Sequence, residues 1–139
     1  MKLETISNIL KSSGFKNIEL DSIIESNQVL KRSGGNYRQY LFSFYDQNYK
    51  EWTLIPDLSL ASVKKYIESK TTKKTKCSYI GEAFRKQDKS NKSPIVKQIG
   101  YEIFGSFNKK KDDAEIIQTA LKIFKKSNFK KCELNLTNM

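Results

Sequence analysis

The chain has 139 residues, of which 26 are lysine or arginine, 15 are aspartate or glutamate and none is histidine. This length suits one domain with one core, and apolar residues recur too evenly for a disordered polycation. Without histidine, no histidine-based triad, metal site or general base can form. The sequence shows no apolar run long enough to cross a bilayer and no secretory signal, so it predicts a cytoplasmic protein.

The net charge of +11 first suggests a nucleic-acid partner. Only Arg32, Arg38 and Arg85 are arginines, however, and arginine is the residue that reads bases and clamps phosphates through two hydrogen bonds. The lysines are spread from Lys2 to Lys131. We therefore interpret most of the charge as solvated surface, and keep RNA binding as a less favoured alternative.

The first half of the chain predicts a helix, a short strand and a hairpin. Apolar residues at helical spacing cover residues 3–13, and alternation over residues 15–20 indicates a strand. Residues 21–36 are typical of a short helix or turn that leads into a loop. Aromatic residues alternate over Tyr37–Phe44, which predicts a strand that pairs with residues 52–55, and these aromatic side chains are expected in the core.

The second half predicts a helix capped by Asp57 or Ser59, two strands joined by a polar loop, a helix opened by Asp112 and a last strand. The three strands cover residues 77–84, 96–104 and 132–136. Runs of strands and helices in this order, without regular alternation, indicate an α+β fold with a mainly antiparallel sheet flanked by helices.

The hairpin over residues 77–104 contains the candidate chemistry. Alternation places Gln98 and Glu102 on one face of the second strand, and Arg85 at the end of the first. Gly81 and Gly100 lie inside these strands, where close approach of a ligand or a backbone would explain a glycine. Glutamine and glutamate can hold an ammonium group, and arginine a phosphate or carboxylate. The alternatives are a pocket for a small zwitterion or nucleotide and an ordinary solvated face.

Four blocks of the chain together resemble a known family. The segments CSYIGEAFR and KQIGYEIFG resemble motif 2 of class II aminoacyl-tRNA synthetases, as it occurs in histidyl-tRNA synthetases and in their relative, the regulatory subunit of ATP phosphoribosyltransferase. Residues 14–18, together with the helix before them, resemble motif 1. Leu54–Ser59 resembles the block Leu-Arg-Pro-(Asp/Glu)-x-Thr, and Lys111–Ile117 resembles the Asp-Ala-Glu helix start. The resemblance implies that residues 1–139 form a single domain, the part of a class II core that carries motifs 1 and 2.

The resemblance also implies a site for a histidine-like ligand. Asp57 and Ser59 match positions that contact the amino acid, and Gln98 and Glu102 match positions that hold its α-amino group. Arg85 matches the motif 2 arginine, which contacts the ATP α-phosphate and the amino-acid carboxylate. We expect no metal and no cofactor. Cys77 and Cys132 are 55 residues apart with no other metal-ligand types clustered near them, so we expect both to be buried free thiols.

The departures from the family pattern argue against adenylation. Ile55 replaces an arginine, Gln87 replaces an acid, and Asp21 replaces the motif 1 proline. The chain also ends at Met139, before any counterpart of motif 3, whose arginine contacts ATP. Because transfer from a triphosphate needs its charge neutralised, we expect no catalytic residue and no enzyme.

The resemblance thus implies a non-catalytic regulatory subunit that binds the catalytic ATP phosphoribosyltransferase subunit, and possibly histidine, in a homo- or hetero-oligomer. An open sheet edge would favour such association. Two alternatives stay open. One is a histidyl-tRNA synthetase fragment, or an amino-acid-activating enzyme, that needs a second chain. The other is a basic module that binds tRNA or other RNA.

Overall fold

The structure is a computed structural model that describes residues 3–87, 92–127, 131 and 133–135. It contains four α-helices and six strands in these ranges. In chain order they are α1 (Leu3–Ser12), β1 (Lys16–Asn17), β2 (Ile23–Glu25), α2 (Ser26–Ser33), β3 (Ser43–Tyr45), β4 (Glu51–Leu54), α3 (Leu58–Glu68), β5 (Thr75–Phe84), β6 (Ile95–Phe104) and α4 (Lys109–Lys126). A 3₁₀ helix, Gly35–Tyr40, follows α2.

The chain divides into two compact units. Unit 1 comprises residues 1–16, 74–77 and 101–139, and unit 2 comprises residues 17–73 and 78–100. One sheet has the strand order β1-β5-β6, and a second sheet, within unit 2, has the order β2-β4-β3. This mixture of helices and sheets confirms the predicted α+β class. The single domain expected over residues 1–139 stays a prediction.

In unit 1, α1 ends in a Schellman motif. The Phe15 amide donates to the Leu10 carbonyl at 3.0 Å, and the Gly14 amide donates to the Lys11 carbonyl at 2.9 Å. Gly14 has a φ of 84°, a value that favours glycine, so the predicted stop signal is confirmed. Leu10 and Phe15 are buried, and this tight turn directs Ser13 toward α4, which belongs to the same unit.

In unit 2, the small sheet packs one face onto the core. Strand β4 pairs antiparallel with both neighbours, so that Thr53 lies opposite Ile24 on β2 and Ser43 on β3. Thr53 and Ile24 are both buried, which identifies this face as the inner one. Seven buried residues of this unit form a hydrophobic core cluster: Ile24, Val29, Leu41, Ile55, Leu58, Ala61 and Tyr79.

The strand predicted over Tyr37–Phe44 is wrong for most of its length. Residues 35–40 form the 3₁₀ helix, in which the Tyr37 amide donates to the Gly34 carbonyl at 3.1 Å, and only Ser43–Tyr45 is a strand. The spacing of Tyr37 and Tyr40 explains the difference, because residues three apart meet on one side of a 3₁₀ helix. Their rings lie with centroids 5.6 Å apart.

The aromatic side chains of the hairpin are less buried than predicted. Phe44 is 42% exposed and Tyr45 is 67% exposed, so the expectation that this strand belongs to the core is wrong for both residues. Trp52, opposite Phe44 in the register, is half-buried. Its indole N–H donates to Asp46 Oδ2 at 2.9 Å, which ties β4 to the hairpin turn.

The other predicted elements agree less completely with the structure: the strand expected over residues 15–20 covers only Lys16–Asn17, and the segment 21–36 contains a strand, Ile23–Glu25, that the sequence did not predict. Helix α4 begins at Lys109, before Asp112, because the Asn108 side chain accepts from the Lys111 amide at 3.1 Å and caps the helix. The predicted last strand, 132–136, has both ends outside the described residues, and 133–135 carry no regular structure. Among the described helices, none is long and apolar enough to cross a membrane.

Candidate ligand-binding site

Asp57 starts α3 and is the first component of the site. Its backbone is extended, with φ −156° and ψ 119°, and its Oδ1 accepts from the Ser59 amide at 3.0 Å. This is the geometry of an N-cap, which satisfies one of the free amides in the first helical turn. Pro56 precedes Asp57 and cannot donate to a strand partner, so β4 ends and the helix can begin here.

Gln98, on β6, connects the second strand of the predicted pocket to this helix start. Its Nε2 donates to Asp57 Oδ1 at 2.9 Å, and its Oε1 accepts from the Leu58 amide at 3.1 Å. Both polar atoms of the Gln98 side chain are therefore engaged within the protein. Gln98 holds the Asp57 carboxylate in place and also caps a helical amide.

Ser59 and Tyr79 complete the cluster that we call the Asp57 group, defined as Asp57, Ser59, Gln98 and Tyr79. The Ser59 and Tyr79 hydroxyl oxygens lie 2.9 Å apart, and Tyr79 is almost fully buried. A Cβ at Gly100 would overlap the Tyr79 ring. The close approach predicted for Gly100 is therefore made by a side chain of the protein, and neither a ligand nor a backbone segment is needed to explain the glycine.

The Asp57 carboxylate stays ionised in this setting. Burial acts to raise its pKa, but hydrogen bonds from Gln98 and Ser59 and the positive charge of Arg32 outweigh burial and lower the pKa below its ordinary value. The hydrogen bonds from the Ser59 amide and from Gln98 Nε2 end on Oδ1, and the Ser59 side chain contributes a further hydrogen bond to the carboxylate. Because a carboxylate can accept about four hydrogen bonds, Asp57 retains capacity for an ammonium group.

Arg85 follows β5 and lies in a different part of unit 2. It lines a cavity of about 410 Å³, and its backbone amide donates to the Pro94 carbonyl at 2.9 Å. Its Nε is buried and has no hydrogen-bond partner among the described residues. We call this space the Arg85 cavity; its lining residues are Tyr37, Tyr40, Arg85, Lys86, Gln87 and Val96. No member of the Asp57 group lines it.

Glu102, the fifth predicted site residue, belongs to unit 1. There it lies close enough to Cys77 to affect the thiol: burial first, and then the Glu102 charge, raise the pKa of Cys77 to about 11. Cys77 is a buried free thiol, as predicted, whereas Cys132 lies outside the described residues. The structure thus brings Asp57, Ser59 and Gln98 together and places Arg85 in a separate cavity of the same unit.

Tyr37, Tyr40 and Lys86 are candidate functional residues that sequence reasoning missed. Two tyrosines and a lysine share the cavity with Arg85, so this space combines aromatic walls with two cations. The interval of three between the tyrosines was the available signal for a helical turn, but Tyr40 also fits the alternation of Phe42 and Phe44, which favours a strand. Lys86 follows Arg85 directly, and no periodicity or motif in the sequence indicated a role for it.

Two solved structures share this fold. A Bacillus halodurans protein described as an ATP phosphoribosyltransferase regulatory subunit/histidyl-tRNA synthetase aligns with a TM-score of 0.72 and 22% identity, over 88% of this chain and 32% of that one. The apo histidyl-tRNA synthetase of S. aureus aligns with a TM-score of 0.72 and 19% identity, over 91% and 30%. The fold is that of a class II histidyl-tRNA synthetase-like core.

Sequence comparison identifies the family. The family profile described as Histidyl-tRNA synthetase matches residues 2–139. The histidine–tRNA ligase of Streptococcus equi subsp. equi is 30% identical over 127 residues, which cover 84% of this chain and 30% of that protein. The Methanococcus vannielii ligase is 29% identical over 126 residues, covering 88% and 30%. The chain belongs to the histidyl-tRNA synthetase family, and it spans about a third of the length of these curated relatives.

Proposed function

We propose that the chain is a non-catalytic, histidine-binding regulatory subunit of ATP phosphoribosyltransferase. The proposal rests on a contrast between residues of the segment Leu54–Ser59. Asp57 and Ser59 are held at the start of α3 by a hydrogen bond from the Ser59 amide to the Asp57 carboxylate, while Ile55 has 0% exposure and lies in the core. At the position where the family pattern has an arginine, this chain therefore offers no charge to a nucleotide.

Within unit 2, Asp57 is the group that we propose contacts the ligand ammonium. A histidine-like zwitterion needs an ionised acceptor for its ammonium group and a cation for its carboxylate. Asp57 supplies the first. The assignment of the ligand carboxylate to Arg85 rests on the resemblance, because Arg85 lines a cavity that the Asp57 group does not share. Gln98 is a positioning residue in this scheme, because both of its polar atoms already bind protein atoms. The role of Glu102 stays a proposal that rests on the resemblance alone.

The residues of the Arg85 cavity support binding better than adenylation. Arg85 and Lys86 are the only cations among the lining residues that the structure describes, and Gln87 replaces the acid of the family pattern. Stabilising charge that develops on a triphosphate requires several fixed cations or metal ions around it. A carboxylate or a single phosphate needs fewer positive charges, which fits the two that line this cavity.

Regulation would follow from linkage between ligand and partner. A ligand shifts an assembly between two states only by its difference in affinity for them. We propose that histidine, held by Asp57, changes the affinity of the chain for the catalytic phosphoribosyltransferase subunit, in the cytoplasm and within an oligomer. The similarity of the fold to the Bacillus halodurans protein, which is described partly as such a regulatory subunit, supports the proposed regulatory role.

Two measurements on the full chain test the proposal. Calorimetry should show saturable binding of histidine, and exchange of pyrophosphate into ATP with histidine present should stay at the blank rate. Asp57→Asn keeps a good N-cap residue but removes the charge, so it should weaken histidine binding about tenfold or more. Asp21→Asn makes the same change at an exposed site in unit 2 and should bind like the parent. Absence of histidine binding by the parent chain would contradict the proposal.

A second candidate function comes from the sequence relatives, which are histidine–tRNA ligases. In that case the chain would be the motif 1 and motif 2 part of an amino-acid-activating enzyme that works with further sequence or a second chain. Pyrophosphate exchange that depends on both ATP and histidine would support this candidate over the regulatory one.

A further inference from the structure

Arg32 is a cation in the last turn of α2, in unit 2, and it lies outside the four sequence blocks that resemble the family. Its side chain is exposed, and its guanidinium forms no hydrogen bond or ion pair with any residue that the structure describes. Arg38, the other exposed arginine of this unit, binds Glu51. The positive charge of Arg32 is therefore available to a ligand.

Two observations locate Arg32 relative to α3. Gln28, on α2, and Leu60, on α3, line the same cavity. Arg32 follows Gln28 by four residues, and Asp57 precedes Leu60 by three, so each lies about one helical turn from its own cavity residue. The positive charge of Arg32 is also among the causes that hold the pKa of Asp57 below its ordinary value. Both observations place Arg32 close to the helix start that Asp57 caps.

Asp57 and Arg32 are opposite charges that act on one another without forming an ion pair, since no oxygen of the one lies within 4.0 Å of a nitrogen of the other. Helices α2 and α3 hold this arrangement, because Val29 of α2 and Leu58 of α3 belong to the same buried core cluster. An α-amino acid carries its ammonium and carboxylate groups on one carbon atom. The two groups can therefore meet Asp57 and Arg32 at the same time, each through charge-assisted hydrogen bonds.

We propose that Arg32 binds the carboxylate of the α-amino acid whose ammonium group Asp57 holds. Two N–H groups of the guanidinium donate in parallel to the two carboxylate oxygens, the geometry for which arginine is suited. Arg85 lines a separate cavity, so this contact adds to any that Arg85 makes. The assignment rests on the proposed function, because it concerns the same ligand, and it makes the site selective for amino acids over amines that lack a carboxylate.

The test is calorimetry of the full chain at pH 7 with L-histidine and with histamine, which has the same ring and ammonium group but no carboxylate. The parent chain should bind histidine about tenfold or more tightly than histamine. Arg32→Gln should lower the affinity for histidine about tenfold and leave that for histamine unchanged or slightly higher, because the guanidinium repels a cationic ligand. Arg32→Lys keeps the charge and should recover part of the affinity for histidine.

Two further variants separate this contact from general effects of charge. Arg38→Gln removes an exposed arginine of the same unit and should leave both affinities unchanged. Asp57→Asn should weaken the binding of both ligands, because both carry the ammonium group. A parent chain that does not bind histidine would contradict the proposed function and the role of Arg32 together. If the parent binds histidine, an unchanged affinity in Arg32→Gln, or equal losses for histidine and histamine, would overturn the role of Arg32 alone.

Discussion

The Asp57 group and the Arg85 cavity, both in unit 2, differ in how their polar atoms are satisfied. In the Asp57 group, Gln98 and Ser59 make hydrogen bonds of 2.9–3.1 Å within the protein, so the cluster stabilises the fold as well as shaping a site. In the Arg85 cavity, the buried Nε of Arg85 has no partner among the described residues. The polar atoms of the first region are therefore satisfied within the fold, whereas the second region contains a buried polar atom without a partner among the described residues.

Because of this difference, substitutions in the two regions should change stability and ligand affinity to different extents. Changes in the Asp57 group should reduce both stability and binding, because the same hydrogen bonds cap α3 and hold the ligand acceptor. Changes at Arg85 should reduce binding and leave stability nearly constant, because few protein contacts depend on its guanidinium. The following predictions test this contrast, from the largest expected effect on stability to the smallest.

Gly100→Ala should give the largest loss of stability. Its Cβ would overlap the ring of Tyr79, which is buried and cannot move without disturbing Ser59. Overpacking of this kind costs about 1–3 kcal/mol, and this contact belongs at the upper end. Urea denaturation measures the loss. Gly35→Ala is the matched control, since nothing lies within 4 Å of its new Cβ, and it should be neutral or slightly stabilising.

Gln98→Ala should destabilise the protein by about 1–3 kcal/mol, because it leaves the Leu58 amide without its acceptor and takes one donor from Asp57. It should also weaken histidine binding, as expected for a positioning residue. Gln39→Ala, the same change at an exposed site, should alter neither property. A Gln98→Ala protein as stable as the parent would contradict the role that we assign to this amide.

Asp57 should make the stability of unit 2 depend on acid pH. Its pKa is lowered in the folded protein, so its contribution is complete above the unfolded value of about 3.9 and is lost as the pH falls through the folded value. Asp57→Asn should lack this contribution. Urea denaturation of both proteins from pH 7 downward should therefore show a gap that narrows below about pH 4. A gap of constant size would contradict the electrostatic part of the account.

Arg85→Gln should have the smallest effect on stability, within about 0.5 kcal/mol, because its Nε makes no hydrogen bond in the described structure. Its effect on ligand affinity should be about tenfold, since a charge-assisted contact to a carboxylate is removed. Urea denaturation and calorimetry on one preparation measure both. Arg38→Gln, which removes the partner of Glu51 on an exposed surface, is a control that should not change ligand affinity.

Much of the fold could be predicted from the sequence. Alternation located β5 and β6, and the N-cap preference of aspartate located the start of α3, because both signals are local. The 3₁₀ helix over Gly35–Tyr40 could not be predicted from the aromatic pattern, since tyrosines three apart fit both a turn and an irregular strand. Gly34, with a φ of 83°, ends α2 before this helix, and its amide donates to the Leu30 carbonyl at 2.9 Å.

The candidate site was predicted only in part. Alternation singled out Gln98, which the structure joins to Asp57 through a hydrogen bond of 2.9 Å. Alternation assigns a face but no distance along the strand, so it could not separate Arg85 from the Asp57 group. It also could not show that the Gln98 amide binds the start of α3, because that contact joins residues about 40 positions apart and depends on packing.

The most direct test of the central claim is the activity of a purified short-form ATP phosphoribosyltransferase catalytic subunit, measured across a histidine titration with and without this chain. The account predicts that the chain forms a complex with the enzyme and makes its activity histidine-dependent, and that Asp57→Asn shifts the midpoint to higher histidine while Asp21→Asn does not. An enzyme whose activity and response to histidine are the same with and without the chain would contradict the account.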